Sequence, residues 1–233
     1  MQCGASVGRF SAVLFLMARI TAIEPQKRYP DRVNIQLDGE FAFGLTSFVA
    51  ARLKIGQELN EQQVASLQAD EAREQAYQQA LLFLSFRPRS VTEIRRNLQK
   101  HDIPAEVINV TLERLRTAKL ADDNQFARAW VENRAAFRPR GRRALEAELR
   151  LKGLSDEATR SALNGLDEEA LAYEAGLKKV RRLEALPWKE FRTKLSEFLA
   201  RRGFPYSVIS PVVSRIWSET HSDPPTSDDE EIA

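Results

Sequence analysis

A segment that recurs along the chain constrains it more than any local motif. Arg87-Pro88-Arg89-Ser90 returns as Arg138-Pro139-Arg140-Gly141, a shift of 51 residues. At that shift Leu98 falls on Leu149, Ile103 on Leu154, Leu112 on Leu163 and Leu115 on Leu166. A looser third copy follows 50 residues on. There Leu145, Leu149, Gly153, Leu154, Leu163 and Leu166 map onto Leu195, Leu199, Gly203, Phe204, Val213 and Ile216, and Pro187 stands near the place of Pro88 and Pro139. A period of this length marks stacked helical units, each too small to bury much alone, so neighbours are expected to share a core. The second unit reads as helices near 122–137, 141–152 and 155–164. Gly153 and Gly203 fall between the last two helices of their units, where a left-handed cap is needed; the first copy has Asp102 there. The fold class expected is mostly α: tandem three-helix repeats in an elongated curved array, with a small N-terminal β region.

That β region is read from residues 19–24, 32–37 and 40–45. Val33, Ile35 and Leu37 alternate with Asn34 and Gln36, Asp38-Gly39 accepts the positive φ of a two-residue hairpin turn, and Phe41 and Phe43 return in register. Everything after Thr46 reads as helix. Start signals are Asn60 with Gln63, the capping box Ser90-Val91-Thr92-Glu93, and Asp122-Asp123-Asn124-Gln125. Ser155 suits an N-cap, while Pro104 and Pro205 suit a first turn. Phe83, Phe86, Phe126, Trp130 and Phe137 fall at helical spacing and read as core.

The chemistry of catalysis is not visible in this sequence. It has one cysteine, Cys3, and two histidines, His101 and His221. There is no zinc-ligand spacing, phosphate-cradling loop, dinucleotide motif or nucleophile elbow. No cofactor and no metal are expected. Asp122-Asp123 and Glu168-Glu169 read as helix-start acids facing the positive end of the dipole, and His101 as a surface residue near a helix end. A lone cysteine fits a reducing cytoplasm, and no apolar run is long enough to span a bilayer.

Charge points to a partner. The chain has 35 basic and 33 acidic residues; six of the acids lie in 219–233, which has no Lys or Arg, so residues 1–218 carry +8. A basic body with an acidic tail suits a partner of negative potential. Arginines gather at the repeat junctions: Arg87, Arg89, Arg95 and Arg96 at the first, Arg138, Arg140, Arg142 and Arg143 at the second, with Arg150 and Lys152 following. These ten residues are the expected partner-binding set. The third junction offers Lys178, Lys179, Arg181, Arg182, Arg201 and Arg202. Because guanidinium groups take phosphate and carboxylate bidentately, a periodic stripe of them can track a regular polyanion.

The order Arg89-Ser90-x-x-Glu93, Leu98, Ile103, Leu115, Leu120-x-Asp122-Asp123-x-x-Phe126-Ala127, Trp130-Val131-x-x-Arg134, Gly141 and Glu148-Leu149-x-x-Lys152-Gly153-Leu154 resembles the RecX family of bacterial regulatory proteins. Ile20-Thr21-Ala22-Ile23-Glu24-Pro25 with the Asp38-Gly39 hairpin is similar to the start of its longer members. The resemblance covers residues 18–218, is specific through the first two repeats and thins in the third. It implies a modulator with no reaction of its own, and beside it the chain is expected to be cytoplasmic and monomeric. Such a protein lodges in the groove of a RecA filament on single-stranded DNA and restrains it in DNA repair, recombination and the SOS response, with weak direct DNA contact as a secondary expectation. The resemblance does not assign roles to individual arginines.

The organisation expected is a disordered or mis-started extension at 1–17 with Met17 as working start, a β region with linking helix at 18–60, repeats at 61–121 (with a lead-in helix), 122–166 and 167–218, and a disordered acidic tail at 219–233 able to compete for the basic stripe. A free-standing DNA-binding helical protein is the alternative, distinguished by tight, salt-steep binding to bare DNA. A helical scaffold for unrelated protein partners is a third reading.

Overall fold

The computed structural model describes residues 17–221. The readings made for residues 1–16 and 222–233 lie outside it. The described chain divides into two compact units. One takes the residues up to Leu82 together with Leu98–Thr111; the other takes Phe83–Asn97 and the chain from Leu112 on. The boundary therefore runs through the first repeat.

The first unit begins with β1 (Ala18–Pro25), β2 (Arg32–Leu37) and β3 (Glu40–Thr46). Asp38 and Gly39 both take positive φ, 52° and 89°, as a tight hairpin turn that matches strand twist requires. The register holds one surprise. Ile35 pairs with Phe43 but Gln36 pairs with Phe41, so Ala42 is an extra residue. This bulge turns the two rings to opposite faces: Phe43 packs against the core while Phe41 stays 65% exposed. A second correction is β4 (Glu58–Leu59), a strand beyond Thr46. It pairs with β1 and completes an antiparallel sheet of order β3-β2-β1-β4. Two residues carry no alternation for a sequence reading to detect.

Ile20, Ile35 and Leu45, all fully buried, form one apolar cluster with Leu59, Val49 and Ala50 of α1 (Ser47–Ala50), and Leu67 of α2 (Glu61–Ser85). Each such side chain contributes about 1.5–3 kcal/mol through burial. The start of α2 is the expected reciprocal cap: the Gln63 N–H donates to Asn60 Oδ1 at 2.8 Å and the Asn60 N–H to Gln63 Oε1 at 2.9 Å. The buried Glu71 carboxylate of α2 accepts from the Thr46 N–H at 2.6 Å and pairs with Arg32 at 2.9 Å, locking the helix to the end of the hairpin.

In the second unit the helices of the second repeat are α5 (Asp123–Phe137), α6 (Arg142–Leu151) and α7 (Asp156–Ala162), close to the expected spans. Asp122 caps α5 by accepting from the Asn124 and Gln125 N–H groups, and Ser155 caps α7 at 3.1 Å. The third repeat comprises α8 (Glu168–Val180), α9 (Trp188–Arg201) and α10 (Tyr206–Thr220). Helix α10 continues two residues into the segment read as tail, and His221 stacks on Trp217. The first repeat contains α3 (Val91–Gln99) and α4 (Ala105–Thr117). Pro104 and Pro205 sit one place earlier than expected, before α4 and α10, where their carbonyls accept the first helical bonds, from Ile108 and Ile209. Gly153 and Gly203 take φ of 79° and 87°, and Asp102 reaches the same conformation at 56°.

The second and third repeats are not fused by one core. Phe126, Ala127, Val131, Leu145, Leu149, Leu154 and Leu163 form a cluster belonging to the second repeat, and a separate cluster around Phe191, Leu195, Leu199 and Ile216 belongs to the third. The pattern of buried positions recurs as the 51- and 50-residue shifts require, with Leu98, Leu149 and Leu199 each fully buried. Among the described residues no helix is long and apolar enough to cross a membrane.

Glu71→Ala strips a half-buried guanidinium and a backbone N–H of their acceptor at once. It should cost about 2–3 kcal/mol in urea denaturation of the full chain. A loss below about 0.5 kcal/mol would remove Glu71 from the lock.

Candidate partner-binding surface at the repeat joints

The start of a helix presents N–H groups without intrahelical partners, and its end presents carbonyls in the same condition. In the second unit these two kinds of end meet twice. At the first joint the Ser90 hydroxyl donates to the carbonyl of Lys152 at 2.7 Å, and the Thr92 hydroxyl to that of Gly153 at 3.1 Å. Asp123, in the first turn of α5, accepts from the Val91 N–H at 2.9 Å. Burial holds its carboxyl above the usual range, against the Val91 bond and Arg116, which favour the charged form. At the second joint the Gly141 N–H donates to the carbonyl of Arg202 at 3.0 Å, and Glu168, in the first turn of α8, accepts from the Arg142 N–H at 2.8 Å. Acids expected to serve their own helix starts thus also satisfy the start of a helix in the preceding repeat.

The glycines make this approach possible. A Cβ on Gly203 would lie 2.8 Å from the Ala144 nitrogen, and one on Gly153 would lie 2.6 Å from the Thr92 Cβ. On Gly141 a Cβ would lie 2.7 Å from the Phe204 nitrogen.

Around the first joint a polar network ties α3, α5 and α6. Glu93 accepts from Arg87 at 2.9 Å, Lys152 at 2.7 Å and its own capping-box partner, the Ser90 N–H, at 3.3 Å. Burial pushes its carboxyl up, but the bonds from Arg87, Lys152 and Ser90 outweigh it and hold the pKa at about 2. Glu148 accepts from Trp130 Nε1 and Arg134 Nε, both at 2.7 Å, and pairs with Arg140 at 2.9 Å. The Trp130 ring lies under Arg134 at 4.4 Å and Lys152 at 4.9 Å. Glu93, Arg96, Trp130, Arg134, Glu148, Leu151 and Lys152 line an open groove, with Leu151 78% exposed at its edge.

The ten expected residues therefore separate. Arg87, Arg140 and Lys152 are held by Glu93, Glu148 and Glu93. Arg142 donates to the Leu163 carbonyl at 2.8 Å, and Arg89 lies over the Phe83 ring at 4.0 Å. Arg150 reaches only Asp156, at 3.9 Å, with both side chains in solvent. Arg95 is half-buried and Arg96, Arg138 and Arg143 are exposed; the side chains of these four make no ion pair or hydrogen bond among the described residues. Two expected core rings are at the surface, Phe86 at 75% and Phe137 at 74% exposure, each just before its Arg-Pro-Arg segment. The helical phase runs out where the helix ends, so neither ring is carried into the core.

Arg202 and Arg134 belong to the joints although neither is in the expected set. Lys152 carried forward by the 50-residue shift lands on Arg202, a signal the sequence contains. Arg134 stands in the family pattern, but the repeat shifts carry it to Phe83 and Glu184, so the repeat gives no sign of it. Among the described residues no group of three or more His, Cys, Asp or Glu gathers as a metal would require. The arrangement is suited to binding.

Two measurements test the joints. Gly203→Ala should cost about twice as much in urea denaturation as Gly165→Ala, because Gly165 shares the positive φ, 73°, but has nothing near its Cβ direction. Equal losses would mean that the second joint does not need the close approach. For Glu93 the folded pKa is depressed, so its contribution to stability is present above about 4.5 and is lost as pH falls toward 2. Glu93→Gln should flatten the acid limb of stability against pH in that window, and an unchanged limb would show that the network is not formed in solution. Asp123 has the opposite sign, so the difference between the two proteins is the informative quantity.

Models of four RecX domains match consecutive parts of the chain: the RecX N-terminal domain over residues 18–60 and the first, second and third three-helix domains over 76–115, 122–163 and 167–213. The regulatory protein RecX of Bacillus pumilus (strain SAFR-032) is 33% identical over 207 residues, which cover 86% of this chain and 78% of the relative. That of Bacillus subtilis (strain 168) is 33% identical over 213 residues, covering 89% and 80%. A crystal structure of regulatory protein RecX superposes with a TM-score of 0.68 at 32% identity, covering 84% of this chain and 98% of that one. The RecX structure from Lactobacillus salivarius, at 22% identity and a TM-score of 0.57 over 64% of this chain and 97% of that one, shares the fold. With its N-terminal sheet, three helical repeats and level of identity, this chain belongs to the RecX family of regulatory proteins.

Proposed function

We propose that the chain modulates RecA, chiefly by inhibition, lodging in the groove of the RecA filament on single-stranded DNA and so restraining recombination, repair and the SOS response. Family membership supports the regulatory role. The observation that carries the binding mode is the recurring joint. The same turn seats on the same kind of helix start twice, and each joint leaves arginine in solvent: Arg96 beside the first, Arg138 and Arg143 beside the second. A filament repeats its subunits, and a binder that repeats its contacts gains apparent affinity because each engaged site raises the effective concentration of the next. Arg96, Arg138, Arg143 and Arg150 are the contacts proposed from the ten; Arg87, Arg89, Arg140, Arg142 and Lys152 are engaged by other groups of the molecule, and half-buried Arg95 is assigned to neither set.

The test is RecA-catalysed ATP hydrolysis on single-stranded DNA with this protein titrated in. The wild type should inhibit. The combined Arg96→Glu, Arg138→Glu and Arg143→Glu variant should need at least about tenfold more protein for the same effect, with unchanged helical circular dichroism. Full inhibition by that folded variant would discard the surface, and no effect of the wild type would discard the reading.

A further inference from the structure

The two joints share a plan but differ in one hydrogen bond and one charge: the Ser90 hydroxyl meets the Lys152 carbonyl at the first, and the Gly141 N–H meets the Arg202 carbonyl at the second. In the first, the Glu93 carboxylate sits between Arg87 and Lys152. By the 51- and 50-residue shifts the second joint has Arg138 and Arg202 in those places, but Ala144 where Glu93 stands. Arg202 is anchored by donating to the Pro139 carbonyl at 3.0 Å and lies over the Phe198 ring at 4.5 Å. Burial, then Arg140, then Arg138 lower its pKa, so the guanidinium groups are near enough to repel one another. Arg140 has Glu148 at 2.9 Å, but that carboxylate also serves Trp130 and Arg134. Among the described residues no carboxylate does for Arg138 and Arg202 what Glu93 does for Arg87 and Lys152.

We propose that the second joint is a carboxylate site completed in trans: a Glu or Asp side chain of a partner protein docks between Arg138 and Arg202, in the place Glu93 takes at the first joint. The first joint argues for a carboxylate over a phosphodiester, because there the corresponding pair of an arginine and a second cation holds a carboxylate. The positive charge is also gathered at one point, fixed by Arg202 on the Pro139 carbonyl, and does not form a track that a polynucleotide backbone would follow. The binding gain is that of charge-assisted, fork-like hydrogen bonds formed while mutual repulsion is relieved. This inference rests on the chain being a protein-binding regulator and not on which protein it binds.

The experiment uses the full chain labelled with 15N, the peptide acetyl-Gly-Glu-Glu-Gly-amide, and an oligothymidylate of matched negative charge, with no RecA present. The peptide should shift the side-chain Nε–H signals of Arg138 and Arg202 and the amide signal of Gly203. Ala144→Glu supplies the carboxylate within the chain and should weaken peptide binding at least about tenfold. Arg202→Gln should weaken it similarly, and serves if the first variant fails to fold. Peptide affinity unchanged in a folded variant would overturn the site. Tighter binding of the oligothymidylate than of the peptide at the same signals would overturn the carboxylate assignment in favour of nucleic acid. Because RecA is absent, these results separate from the ATP-hydrolysis titration.

Discussion

The second unit depends on the meeting of a helix start with a helix end across successive repeats. Each end alone carries backbone groups with nothing to bond, and the dipoles leave the start positive and the end negative. Seating the α9–α10 turn on the start of α6 joins the two directly, through the Gly141 N–H and the Arg202 carbonyl, while at the start of α3 the Ser90 and Thr92 hydroxyls reach the carbonyls of the α6–α7 turn. The contact requires backbone to approach backbone, which only residues without a Cβ allow at Gly141 and Gly203. The first-turn acids Asp123 and Glu168 complete it by capping the helix of the neighbouring repeat.

The second and third repeats keep separate apolar cores. Phe126, Leu145, Leu149 and Leu163 are enclosed in one repeat and Phe191, Leu195 and Leu199 in the next. Directional hydrogen bonds at both joints, with the Glu93–Lys152 ion pair at the first, link the repeats. These set position strictly, because a bond to a helix end loses its value within a fraction of an ångström of misplacement. Arginine serves on both sides of this division. Its fixed fork suits it to anchoring, as with Arg142 on the Leu163 carbonyl or Arg134 on Glu148, and its permanent charge suits the outward positions Arg138 and Arg143 to an acidic partner.

Some features were readable because their causes are local. The Asp38-Gly39 turn, the Asn60–Gln63 and Ser90–Glu93 boxes, and the Asp122 and Ser155 caps each act within a few residues, and the structure contains every one. The bulge at Ala42 was not readable, since it follows from how two strands pair and reverses the face of Phe41 without changing its spacing. Nor was β4, whose two residues pair with β1 some forty positions earlier. Phe86 and Phe137 kept helical spacing to a helix end that has no core beneath it.

The sequence by itself determined that this chain is a set of helical repeats with a hairpin at its start, and where most helices begin, because periodicity, capping and turn chemistry are properties of neighbouring residues. It also carried the family pattern and the arginine clusters. Which arginines hold the molecule together and which face outward was decided only by the tertiary structure. The partners that settle it, Glu93 for Lys152, Glu148 for Arg134 and the Pro139 carbonyl for Arg202, lie 14 to 63 residues away, brought near by packing within a repeat for Glu148 and by one repeat meeting the next for the other two.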